Sequence, residues 1–378
     1  MGSRIELSEV ITDIAAGPFG SNLKVSCFVP SGFPIIDGAN LKGYKVTDNL
    51  TKFVTEEKAR SLSRSIAKRG EVVVTISGTL GQISYIPDDS EYPEYLCSQR
   101  QFRVAFDNQR VYVPYLVFYF HTREGQSRIL AFANQTGVPA LSQPTKNFKK
   151  IVIDLPDMDT QQKIARIAEN INSKIELNQQ TNDYLSELAH VLYRQFLSNV
   201  KAHGNGHLGT LDELITVRYG KDHKKLEDGN IPVYGSGGLM RRVNASLYQG
   251  ESVLIPRKGS LNNVMYVNEE FWTVDTMFYT EQATTGAAKY VYEYLIGRDL
   301  VSMNSGSAVP SMTTKILDAM EIYVPSNQEL LELDTRLEPL WKTIQRNRDE
   351  SESLAAARNA LLPKLMSGEI DVSKIELP

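Results

Sequence analysis

Little in this 378-residue chain invites covalent or metal chemistry. Only two cysteines occur, Cys27 and Cys97, which argues against a disulfide scaffold and for a reducing cytoplasm. No apolar run approaches the roughly 18–20 residues of a membrane span, and no signal peptide opens the chain. The phosphate-cradling Gly-x-x-x-x-Gly-Lys-Ser/Thr loop is missing, as are His-Glu-x-x-His, Cys-x-x-Cys and Gly-x-Ser-x-Gly. So is the Asp-Pro-Pro-Tyr-like run that an adenine methyltransferase needs. His203 and His207 read as part of a polar linker after a helix end, and His121 and His190 as packed side chains on apolar helix faces. The expectation is a chain with no catalytic residue, no metal and no cofactor of its own.

An excess of charge of one sign is lacking too. The net charge is −4, which does not advertise a nucleic-acid partner. Its distribution says more: residues 1–155 carry 18 Lys/Arg against 15 Asp/Glu, while 156–200, 201–324 and 325–378 are each net acidic. Any DNA reader here works through local basic faces. Apolar residues make up 42% of the chain, enough for real cores in two or more domains.

What is present is a long-range repeat. After Pro156 the positions Ile164, Ala168, Ile171, Ile175, Asn178, Asn182, Leu185, Ala189, Leu192 and Phe196 step by alternating fours and threes. That 3.5-residue period places them on one seam of a helix expected over 159–200. An offset of 169 residues gives Leu333, Leu337, Leu340, Ile344, Asn347, Ser351, Leu354, Arg358, Leu361 and Leu365, in a helix expected over 326–366. Each copy follows a proline and opens on a capping signal, Asp159 with Gln162 and Ser326 with Glu329. A 42-residue helix is about 60 Å long at roughly 1.5 Å per residue, too long for the core of one small domain. The pair is therefore expected to form an antiparallel coiled-coil spacer, kinked at Pro339 and Pro363.

The segments before each helix also share an order. The first contains the loop Gly17–Lys24, the apolar run Phe33–Asp37, a helix expected at Glu56–Lys68, the strand Gly70–Ser77, the loop Gly78–Gly81 and the return strand Ile83–Ile86. A strand at Gln101–Phe106, helices at Pro114–His121 and Gly125–Ala133, and the loop Thr136–Pro139 follow. The second repeats it: loop Tyr219–Lys225, run Gly229–Gly235, strand Gly250–Ile255, loop Arg257–Ser260, return strand Met265–Val267, helix Lys289–Leu295 and Ala308–Pro310. The expected architecture is α+β: a globular domain over 1–155, a central spacer helix over 156–200, a second globular domain over 201–324, and a distal helix and tail over 325–378. It is a pseudo-two-fold tandem repeat in one polypeptide.

With catalysis unsupported, recognition remains. The paired loops carry groups suited to phosphates and base edges: Ser21, Asn22, Lys24, Ser77, Thr79, Gln82, Gln99, Arg100 and Gln101 in the first domain. In the second they are Lys221, Lys224, Lys225, Arg241, Arg242, Arg257, Lys258, Asn262 and Asn263. Arginine grips guanine bidentately, asparagine and glutamine grip adenine, and lysine positions the backbone. Singly, each is an ordinary surface residue; clustering at corresponding loops is what raises them.

The chain resembles the DNA specificity subunit of type I restriction–modification systems. The carriers are Leu155-Pro156, Gln161-Gln162-Lys163-Ile164, Lys174-Ile175, Asn178, Asn182, Leu185, Ala189 and Phe196. A second set is Val324-Pro325, Gln328-Glu329 and the run Leu361–Ile370. The loops Gly17–Lys24 and Ser77–Gly81 and the run Gly229–Gly235 are similar to that family's target-recognition domains. The resemblance implies that each globular domain reads one half of a bipartite double-stranded DNA site, with the coiled coil fixing the gap. It also implies docking to two methyltransferase subunits, which bring S-adenosylmethionine, and to motor-nuclease subunits that use ATP and Mg²⁺. The change from Ser77–Gly81 to Pro256–Ser260 implies different contact chemistry in the two halves. Two other readings stand beside it: the recognition subunit of a combined cutting-and-modifying, type II-like system, and a coiled-coil adaptor that binds only proteins. A nuclease needs clustered carboxylates that no spacing suggests.

Overall fold

The computed structural model describes residues 2–134, 139–303 and 311–375. The expected match between Thr136–Pro139 and Ala308–Pro310 lies, apart from Pro139, outside the described residues. The chain divides into two compact units, Met1–Glu176 with Ser351–Pro378, and Leu177–Glu350. Each unit therefore holds one globular domain together with a stretch of both long helices.

In the first unit, strands Ile11–Ala16, Gln101–Phe106, Val72–Thr75 and Ile83–Tyr85 form an antiparallel sheet in that order. The β-branched run Val72-Val73-Val74 is buried on both faces, which suits a strand between two layers. A second small sheet orders Phe53–Val54, Phe33–Ile36, Glu94–Cys97 and Ile66–Lys68. Helix Val113–His121 supplies Leu116, Phe118 and Phe120 to the core, and Ile164, Ala165 and Ala168 join that core with Leu362 and Leu365. The helix expected over Glu56–Lys68 is only Glu56–Ser61, because Ile66–Lys68 is taken up by pairing with Glu94–Cys97.

In the second unit, one sheet orders Ile215–Tyr219, Met277–Gln282, Tyr248–Pro256, Met265–Thr273, Asp228–Gly235 and Gly238–Val243. The design matches the first domain closely. In both, the apolar run before the central hairpin lies parallel to a neighbour, Ile35 beside Leu96 and Val233 beside Trp272. In both, the first strand pairs antiparallel with the strand that leads into a long helix, Ser3 with Leu155 and His207 with Val324. His207 thus begins a strand, not a linker, and its Nε2 lies 2.8 Å from Glu213.

The central helix spans Met158–His203 and the distal helix Asn327–Met366. Asp157, not Asp159, caps the first: its carboxylate accepts from the Thr160 amide at 2.9 Å. Ser326 and Glu329 form the expected capping box, with the Ser326 amide donating to Glu329 at 2.8 Å. The distal helix runs without interruption through Pro339 and Pro363. Within each unit the two helices pack together and run antiparallel. In the first unit Ile164 and Leu365 are buried and Ile171, Ile175 and Leu354 half-buried. In the second, Phe196, Leu333, Leu337 and Ile344 are buried and Leu185, Leu192 and Leu340 half-buried. Leu361 departs from the expected seam: it is 36% exposed while Leu362 is 4% exposed. A straight helix drifts about 20° per heptad against a 3.5-residue repeat, so near its end the next residue faces inward.

The polar positions of the seam find one another. Asn347 donates to Asn182 Oδ1 at 2.9 Å, Asn182 to the Ile344 carbonyl at 3.3 Å, and Asn178 to Glu350 at 2.8 Å. In the first unit Arg358 reaches Asn172 at 2.6 Å and lies over the Tyr44 ring.

Candidate nucleic-acid interface

The first-domain loops converge because they leave the same end of one sheet. Ala16 pairs with Phe102 and Thr75 with Gln101, so the segments after Ala16, after Thr75 and before Gln101 emerge side by side. Gly17 donates its amide to the Gln101 carbonyl at 2.8 Å and Ile76 to Arg100 at 2.6 Å. A Cβ on Gly17 would stand 1.8 Å from the Ser98 carbonyl, so only glycine permits this approach. Ser21, Asn22, Lys24, Thr79, Gln99 and Arg100 are exposed on these loops, and Ser77 is half-buried.

Two expected contacts turn inward. Gln101 is 1% exposed and its side chain is bonded to Ser98; as the first residue of an inner strand it props the loop from beneath. Gln82, half-buried, donates to the Gly38 carbonyl at 3.1 Å and accepts from Thr75 at 3.1 Å. Its amide is occupied within the domain.

The second domain repeats the arrangement. Tyr219 pairs with Phe278, and Gly220 donates to the Met277 carbonyl at 2.9 Å. A Cβ on Gly220 would meet the Val274 carbonyl at 2.0 Å. The later loops correspond too: Met312 donates to Arg257 at 2.9 Å as Leu141 donates to Ile76 at 2.8 Å. Lys221, Lys224, Lys225, Lys258, Asn262 and Asn263 are exposed. Asn262 is bonded to Asp299 at 3.2 Å and Asn263 to the Ser236 carbonyl at 2.8 Å. Arg241 sits back in its strand, held by the Leu226 carbonyl at 2.8 Å and Asp228 at 3.2 Å. Arg242 is exposed beside it and donates to the Asn230 carbonyl at 3.0 Å. Arg257 lies over the Tyr219 ring, 5.4 Å from its centroid.

Sequence reasoning passed over two exposed aromatics on these same loops, Phe19 and Tyr219, 84% and 52% exposed. The available signal was their place in glycine-bounded loops, where no core awaits them. It also passed over Lys289, which is fully buried in the second domain. Its ammonium meets Glu251 at 2.5 Å, and Asp334 and Glu338 on the distal helix at 2.7 and 2.8 Å. Burial disfavours its charge, but hydrogen bonds to Asp334, Glu251 and Glu338 hold its pKa above the ordinary lysine value. Nearby, Glu293 is 1% exposed and lies 3.1 Å from His190; burial pushes its carboxyl pKa up to about 8. His121, the other packed histidine, bonds the Ile83 carbonyl at 2.7 Å, and burial lowers its pKa. Among the described residues no group of His, Cys, Asp and Glu is arranged to hold a metal ion, and no helix is long and apolar enough to cross a membrane.

Fold and loops together define a class: a recognition protein of two α+β domains of one design, each built onto a shared pair of long helices. The family model described as type I restriction modification DNA specificity domain matches residues 29–187 and again 208–354. The chain belongs to that family and is a specificity subunit, the non-catalytic, DNA-binding target-recognition component of a type I restriction–modification system. The family carries no catalytic cofactor. Among curated relatives, the type I restriction enzyme MjaIX specificity subunit of Methanocaldococcus jannaschii is 21% identical, covering 85% of this chain and 82% of the relative. The putative MjaX specificity subunit of the same organism is 20% identical, covering 90% and 88%. In fold, the chain is similar to the S subunit of a type I restriction–modification system from M. genitalium, at 20% identity and TM-score 0.55, over 97% of this chain and 96% of that one.

Proposed function

We propose that each globular domain reads one half of a bipartite double-stranded DNA target, and that the helix pair sets the unread gap and carries two methyltransferase subunits. The observation that carries this reading is the shared frame of the two domains. In each, a strand ends on a glycine tied to its neighbour and presents polar loops beside it, while the loop side chains differ. One frame with two sets of side chains is what two different half-sites require. The contact residues on this reading are Ser21, Asn22, Lys24, Thr79, Gln99 and Arg100 in one half and Lys221, Lys224, Lys225, Lys258, Asn262 and Asn263 in the other, with Arg242 and Arg257 at the margin.

A face for the partner subunits is available on the central helix. Leu177, Tyr184, Leu188 and Val191 are 55%, 73%, 45% and 44% exposed and recur at seven, four and three residues, a second stripe away from the seam. An apolar stripe at that spacing suits a partner helix. The partners would bring S-adenosylmethionine, and a motor-nuclease subunit ATP and Mg²⁺.

The test is a methylation map. The chain is co-expressed with the methyltransferase subunit encoded beside it, in a host without DNA methylation, and modified adenines are sequenced. A single split motif that vanishes when this chain is omitted is the expected result. A stable complex that modifies nothing and shows no salt-dependent DNA affinity refutes the reading and favours a protein adaptor.

A further inference from the structure

The first-domain loop face has a composition that phosphate contact alone does not explain. Segments 17–24, 76–82, 98–101 and 142–146 contain Lys24, Arg100 and Lys146 and no aspartate or glutamate. At the tip of this acid-free face stands the phenyl ring of Phe19, 84% exposed. Its loop is anchored at several points. Gly17 is tied to Gln101, Pro18 is buried, the Asn22 amide returns to the Phe19 carbonyl at 2.8 Å, and Gln99 donates to the Leu23 carbonyl at 3.2 Å. Leu23 itself is 2% exposed. The fold thus grips the residues around Phe19 and leaves the ring in water, where an apolar ring is unfavourable.

Beside the ring lies a cleft of about 520 Å³ lined by Ile76, Gln99, Gln143 and Lys146. Gln143 has φ 42°, making it the single non-glycine with positive φ among the described residues; such strained backbone gathers at binding sites. The corresponding corner of the second domain is furnished differently. There Tyr219 takes the place of Ala16 and Arg257 that of Ile76, and the two are stacked.

We propose that Phe19 is a DNA wedge: on binding, its ring enters the base stack at one step of the half-site read by the first domain, and the displaced base edge meets the exposed amide of Gln143. Surrounding cations hold the flanking phosphates, and an inserted apolar side chain unstacks a step as it kinks the duplex. This rests on the DNA-reading function proposed above. The second domain carries its ring, Tyr219, at a strand end with Arg257 over one face and not at a loop tip, and reads its half without such a wedge.

The experiment uses the complete complex with its methyltransferase subunits and a duplex carrying the mapped split motif, with 2-aminopurine placed at each position of both halves in turn. Wild-type complex should raise the fluorescence at one step of one half-site in a way that Phe19→Ala abolishes and Phe19→Trp restores. Phe19→Ala should also bind the duplex about 10- to 100-fold more weakly, the range for loss of one stacked base. Assembly with the methyltransferase should not change. Affinity within twofold of wild type and an unchanged fluorescence pattern overturn the wedge. Loss of methyltransferase binding without DNA overturns it in favour of a protein contact. If the wild-type complex itself has no salt-dependent affinity for the duplex, the DNA reading has failed, which is recognisable before any variant is made.

Discussion

Replacing Lys289 by methionine keeps most of the side-chain volume and removes the charge on which the second domain and the distal helix converge. The ammonium is fully buried, and three carboxylate oxygens lie within 2.8 Å of it, so those oxygens are at most about 5.6 Å from each other. Two unit charges at about 5 Å repel by roughly 3 kcal/mol at an effective dielectric of 20. The variant can escape by protonating a carboxylate, which at pH 7 costs about 4 kcal/mol for a group whose usual pKa is near 4. Both routes agree with the roughly 3–5 kcal/mol typical of breaking a buried ion pair from one side. At pH 5 the proton costs only about 1.4 kcal/mol, so most of the destabilisation should disappear. Trp272 and Trp341 are the two tryptophans of the chain, and both lie in the unit Leu177–Glu350. Urea unfolding followed by tryptophan fluorescence therefore reports this unit alone. A loss below about 1 kcal/mol at pH 7, or one as large at pH 5 as at pH 7, refutes the reasoning.

Other predictions follow from the same packing. Glu293, with its pKa raised to about 8 by burial, binds a proton in the fold that the unfolded chain releases near its usual value. Stability from this group is therefore complete below the unfolded pKa of about 4.5 and is lost as pH rises to 8; Glu293→Gln should flatten that decline and be more stable than wild type at pH 8.5, and a parallel decline in both proteins counts against it. Asn347→Leu removes the amide that donates to the buried Asn182 Oδ1 and should destabilise by about 1–3 kcal/mol, whereas leucine at all three seam asparagines should restore or exceed wild-type stability; a single variant more stable than wild type contradicts the network. Inserting one heptad in both long helices adds about 10 Å of helix and should lengthen the gap of the methylated motif by about three base pairs; an unchanged gap sinks the spacer.

The long helices were legible because a 3.5-residue period that recurs at a fixed offset is the mark of paired helices, and even the asparagines showed in it. Their ends were less so. Asp157 and Asp159 are both plausible caps on sequence, and only the Thr160 amide decides between them. Loops were legible as segments but not as surfaces. Gln101 and Gln99 look alike in sequence, yet the first begins an inner strand and is buried while the second is exposed. Phe19 was invisible for the opposite reason, since a phenylalanine is read as core until its neighbours are seen to hold it out. The Lys289 cluster was hidden by separation: Glu251, Asp334 and Glu338 come from a strand and from a helix on the far side of the second domain in sequence, and no local pattern links them.

These differences share a cause that bears on how such a chain can change its target. The frame of each domain is carried largely by the main chain: Gly17 to Gln101 and Gly220 to Met277, Leu141 to Ile76 and Met312 to Arg257. Main-chain bonds of this kind survive almost any substitution that keeps the glycines, because a side chain at those two glycines would strike backbone carbonyls at 1.8 and 2.0 Å. Residues on the loops above the frame are therefore free to differ between the halves, as Ile76 and Arg257 do at corresponding positions. The helix seam has less freedom, since its buried side chains, Ile164, Leu333, Leu337 and Ile344 among them, are held by packing. Divergent loops on a shared frame and a repeated seam are thus one physical fact: specificity can change wherever the backbone, and not the side chain, holds the fold.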